Sequence, residues 1–78
     1  MLTFAMRLRG LRNIVALSQA ELGQRAGVSQ FNVSNYERGL QPQSEHIPAL
    51  DRAIHEEAER LRIQLPFTLV DEALPVAA

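Results

Sequence analysis

The sequence predicts an all-α fold of four to five helices, and three observations carry that prediction. Apolar residues recur at spacings of three and four, hydroxyl residues stand where helix starts need caps, and glycines stand where helices should stop. The 78 residues are 46% hydrophobic and 22% charged, with a formal charge of −1 and neither cysteine nor tryptophan. A chain of this length buries roughly 60% of its unfolded surface, enough for one thin core but not for a deep cleft walled by two layers. The expectation is therefore a binding protein rather than an enzyme, without a cofactor. Absent cysteine excludes disulfides, Cys-ligated zinc and a thiol nucleophile, and fits a reducing, cytoplasmic setting. No stretch is long and apolar enough to span a membrane or direct secretion, so no membrane partner is expected.

In chain order, Phe4, Leu8, Leu11 and Val15 are spaced for one face of a helix over residues 3–15, with Arg7, Arg9 and Arg12 between them. Gly10 inside it costs of order 1 kcal/mol relative to alanine, which a close approach to another helix would offset. Ser18 followed by Glu21 forms a capping box that starts a second helix over residues 19–26, and Gly27 ends it. Ser29 caps a third helix over residues 30–38, with Val33 and Tyr36 pointing inward and Gly39 as its stop. Pro42 marks a loop, after which Ser44 reads as the cap of a fourth helix with Pro48 in its first turn. Ile47, Leu50, Ile54, Ala58, Leu61 and Leu65 carry that helix to about residue 64, and Pro66 ends it. The β-branched and apolar makeup of residues 67–70 reads as a short strand with no partner in the chain. Such a segment pairs with another chain, covers the core as an extended arm, or joins the small-residue end 75–78 in disorder.

Two short helices joined by about three residues around a glycine make a helix-turn-helix, which presents its second helix to the DNA major groove. The run Leu17-Ser18-Gln19-Ala20-Glu21-Leu22-Gly23-Gln24-Arg25-Ala26-Gly27-Val28-Ser29-Gln30, followed by Val33-Ser34 and Tyr36-Glu37-Arg38-Gly39, resembles the DNA-binding domain of phage repressor and Cro proteins. The larger xenobiotic-response-element group of regulators shares this pattern. The resemblance covers residues 7–54 and implies a lambda-repressor-like domain. Ala16 stands where the family usually has glycine, and Gly23 where it has alanine, so the first turn should be slightly adjusted and the second and third helices closer together. Beyond about residue 55 the match fails and no typical fifth helix is visible. The expected division is a helix-turn-helix domain over residues 1–65, with the motif at 18–38, and a C-terminal arm over residues 66–78.

If Val33 and Tyr36 face the core, Gln30, Phe31, Ser34 and Asn35 lie on the outward face or its rim. Gln30 and Asn35 carry amides that can pair with adenine N6 and N7, Ser34 can donate or accept, and Phe31 can pack on a thymine methyl or staple the local turn. The resemblance likewise assigns base readout to these four positions. Phosphate contacts are expected from Gln19, at a helix N-terminus, with Asn32, Arg38 and Gln41 as further candidates. The resemblance implies that Arg12 and Glu37 form a partly buried structural ion pair tying the first helix to the third. His46 and His55 lie nine residues apart with no ligand-spaced cluster and read as surface histidines, so no metal site is expected. Asp51, Glu56 and Glu57 read as a solvated acidic face, with Arg52 and Arg60 in reach for pairs along the helix.

Charge divides along the chain: residues 1–43 carry +3 and residues 44–78 carry −4. The basic half suits double-stranded DNA and the acidic half faces away or meets a protein. A single short recognition helix reads few base pairs, so a homodimer on a palindromic operator is expected. Its contacts fall to Leu61, Ile63, Leu65, Phe67, Leu69 and Val70, with an intermolecular β-ribbon at residues 67–70 as one form. A phage repressor, an antitoxin and a defence-operon controller all fit this description. The alternative is a protein-interaction module, or an antitoxin whose acidic half and tail bind a toxin or other protein.

Overall fold

A computed structural model describes residues 1–70, in which four helices follow in order: α1 (Phe4–Ile14), α2 (Gln19–Ala26), α3 (Gln30–Glu37) and α4 (His46–Leu61). Helix α3 packs against α1 and α2, and α2 also packs against α4. Leu8, Leu11, Leu22, Val33, Leu50 and Ile54 are fully buried where these helices meet. Each such side chain withdrawn from water contributes about 1.5 to 3 kcal/mol.

Local chemistry sets three of the four starts. Thr3 Oγ1 accepts from the Met6 N–H at 3.1 Å, and Ser29 Oγ from the Asn32 N–H at 3.1 Å. At α2 the capping box is complete: Ser18 Oγ accepts from the Glu21 N–H at 3.0 Å, and the Ser18 N–H donates to Glu21 Oε1 at 2.8 Å. Helix α4 departs from the expectation, since it begins at His46 and Ser44 makes no side-chain cap. Backbone turns do that work, with His46 N–H donating to Gln43 O and Ile47 N–H to Ser44 O. Pro48 then occupies a first-turn position whose missing N–H leaves nothing unpaired.

Two glycine-related features bear on the motif. Gly27 takes the left-handed conformation at φ 71°, ending α2. A Cβ built on Gly23 would overlap the Val28 carbonyl oxygen, so the chain leaving α2 folds back on a helix face that only glycine can offer. Ala16, where the family usually has glycine, is itself left-handed at φ 59°.

The C-terminal part of the fold corrects two expectations. Helix α4 ends at Leu61, not near residue 64, because Arg62 turns left-handed at φ 57° and Ile63 N–H donates to Ala58 O at 2.9 Å. No strand forms among the described residues. Instead residues 63–70 return over the core: Leu69 is 1% exposed, and Leu65 and Phe67 pack beside it. A Cβ on Gly10 would stand 3.2 Å from the Phe67 ring, so the glycine admits this segment rather than another helix. Arg7 Nη1 donates to Thr68 O at 2.9 Å and fastens the segment to α1. The expectations for residues 71–78 lie outside the described residues.

Candidate nucleic-acid interface

The site is built from α2, the turn after it, and α3. Val28 is buried in the turn and its N–H donates to Gly23 O at 2.8 Å, which fixes the angle between the two helices. Val33 and Tyr36 anchor α3 in the core. The start of α3 then projects from the surface: Gln30 and Phe31 are exposed, Phe31 at 71%, and Ser34 is half-buried beside them. Among the described residues this ring is the most exposed aromatic side chain.

Asn35 is placed differently from the other three. It is 8% exposed, although the helical wheel turns it away from Val33. Bonds at the C-terminal end of α3 engage it: Leu40 N–H donates to Asn35 O at 3.1 Å, and the Arg38 guanidinium donates through Nη2 to Asn35 Oδ1.

Gln19 occupies the first position of α2, where free backbone N–H groups point outward, but its side chain is half-buried and donates through Nε2 to Glu37 Oε1 at 3.2 Å. Asn32 is half-buried, and Arg38 and Gln41 are exposed. Arg12 and Glu37 form a two-point pair, Nε to Oε2 at 2.6 Å and Nη2 to Oε1 at 3.0 Å, with side chains 13% and 4% exposed. Hydrogen bonding to Glu37 raises the Arg12 pKa above its ordinary value, against the opposing effect of burial. Arg12 Nη1 also donates to Leu17 O at 2.9 Å, so one guanidinium holds α1, the turn after it and the end of α3 together.

Several anchors were not anticipated. His46 is not an isolated surface group: its Nδ1 lies 2.6 Å from Tyr36 Oη, joining α3 to the start of α4. Because a neutral imidazole nitrogen accepts, the phenol donates here when the proton sits on Nε2. Glu57 is not solvated either. Its side chain is 4% exposed and takes bonds from Arg60 at 2.6 and 2.9 Å and from Arg25 of α2. The Arg60 hydrogen bonds lead in holding its carboxyl at about 2, with burial opposing and Arg25 assisting. The spacing of Glu57 and Arg60 announces their pair, but nothing in the sequence announces Arg25. Among the described residues no cluster of His, Asp and Glu could hold a metal ion, and no helix is long and apolar enough to cross a membrane.

Of the six residues expected to build a dimer, Leu65, Phe67 and Leu69 are spent on the core of their own chain. Leu61 and Val70 stay exposed, at 37% and 43%, and Ile63 is half-buried.

Residues 3–62, which span all four helices, match the family model described as a helix-turn-helix domain. No curated protein and no solved structure matches the chain.

Proposed function

The chain belongs to the helix-turn-helix domain family, and from that premise we infer that it is a sequence-specific regulator of transcription, a repressor that binds a palindromic operator as a homodimer. The observation that carries this reading is the unburied start of α3, where Gln30 and a 71% exposed Phe31 stand beyond a helix otherwise anchored in the core. An amide and an apolar ring are the chemistries that read adenine and a thymine methyl in the major groove. Ser34 and Asn35 complete the reading set. Gln19, Asn32, Arg38 and Gln41 hold the phosphates, Gln19 through the N-terminus of α2 as well as its amide.

Two-fold pairing doubles a short recognition site and spaces half-sites about 34 Å apart, one turn of the duplex. Leu61, Ile63 and Val70 supply the dimer contact, since the other apolar residues of that region serve the monomer. A phage repressor, an antitoxin and a defence-operon controller would each use this chemistry in a cytoplasmic setting.

Selection of bound duplexes from a random pool tests the reading, with wild type beside a Gln30→Ala, Phe31→Ala double variant. The expected result is a palindrome of two short half-sites that loses information in the variant. A folded protein that recovers no motif would overturn it and favour a protein-interaction role for the acidic half.

A further inference from the structure

An asparagine reads adenine by using both ends of its amide: Oδ1 accepts from N6–H and Nδ2 donates to N7. In this chain Asn35 Oδ1 already accepts one hydrogen bond, from Arg38 Nη2. The atom facing Arg38 must be the oxygen, because a guanidinium carries only donors and an amide nitrogen cannot accept from it. Asn35 Nδ2 has no acceptor among the described residues, and the residue is 8% exposed. What the pair offers outward is therefore the N–H groups of Asn35 Nδ2 and the remaining N–H groups of an exposed Arg38. A base N–H approaching Oδ1 would meet the positive guanidinium beside it.

We propose that Arg38 is a positioning residue that turns Asn35 into a donor-only reader, so that the pair selects guanine rather than adenine at its place in the operator. Guanine is the base whose major-groove edge presents two acceptors, N7 and O6, and no donor. Gln30 makes no side-chain bond among the described residues and keeps both ends of its amide, so the two amides of α3 read different bases. The inference rests on the DNA-binding reading above and refines it.

The test repeats the duplex selection with wild type, Asn35→Ala, Arg38→Ala and Arg38→Lys, each checked by circular dichroism for retained helix. The position that loses its preference in Asn35→Ala is the one Asn35 reads. Wild type is expected to hold guanine there. Arg38→Ala, by freeing Oδ1, moves the preference toward adenine by roughly tenfold, within the discrimination that one amide pair provides. Arg38→Lys, still a cation and a donor, retains guanine. An Arg38 that only holds a phosphate or the fold would weaken all sites alike without changing base identity. A base other than guanine in wild type, a preference unchanged in Arg38→Ala, or no position affected by Asn35→Ala overturns the proposal while the DNA-binding reading stands. Recovery of no motif by the wild type overturns both.

Discussion

Replacing Glu37 with alanine should destabilise the domain severely, and the size of the effect follows from what Glu37 touches. Its carboxylate accepts from Arg12 at 2.6 and 3.0 Å and from Gln19 at 3.2 Å, with only 4% of its side chain exposed. Removing it leaves the Arg12 guanidinium, 13% exposed, with Leu17 O as its sole remaining acceptor among the described residues. A buried charge stranded in this way costs about 3 to 5 kcal/mol. A chain of this size has roughly 4 to 12 kcal/mol of stability in all, so the loss removes a large share of it. The melting temperature should fall by more than about 10 °C. Urea unfolding followed by circular dichroism measures the loss directly. A partner experiment separates the pair from the site: Arg12→Leu combined with Glu37→Leu removes both charges and should regain most of the stability, since an apolar pair of similar volume is often as stable as the ions it replaces. A Glu37→Ala protein within about 1 kcal/mol of wild type would refute the reasoning.

Gly23→Ala should cost about 1 to 3 kcal/mol in urea unfolding, because its Cβ would overlap the Val28 carbonyl and force α2 and α3 apart. Ala16→Gly should act in the opposite direction by about 0.5 to 1 kcal/mol, since a left-handed residue at φ 59° is relieved at the expense of some chain entropy. Leu69→Ala should cost about 2 to 5 kcal/mol, and a negligible change on thermal melting would mean that residues 63–70 do not close the core. Acid titration reports on Glu57: with its pKa lowered to about 2, its contribution is complete above the ordinary carboxylate range near 4.5 and disappears as pH falls toward 2. Stability of the wild type should drop through that window, and Glu57→Gln should flatten the drop; equal slopes would count against the Arg25–Glu57–Arg60 cluster.

Where a structural decision was local, the residues announced it. The capping box of Ser18 and Glu21, together with Gly27, gave both ends of α2, and Val33 with Tyr36 gave the inward face of α3. Where the decision was tertiary, local reading could not reach it. Asn35 looked outward because a helical wheel contains no packing, yet it is 8% exposed. The run at residues 67–70 has the composition of a strand, but apolar residues closing a core have the same composition, and only the left-handed turn at Arg62 reveals which role they take. Glu57 was read among solvated acids because its partner Arg25 sits on another helix, 32 residues away. Within the candidate site, the exposed pair Gln30 and Phe31 was legible from periodicity, whereas the internal partner of Gln19, 18 residues away, was not.

The Arg7 to Thr68 bond joins residues 61 positions apart and so closes a loop of nearly the whole described chain. Closing so long a loop carries its entropy cost before the contact gives anything back, while α1 to α4 meet through shorter separations. The returning segment should therefore dock late in folding and detach first when the native state opens locally. Its backbone amides should exchange with deuterium well before those of α2 and α3, and the opened form would expose part of the core without disturbing those helices.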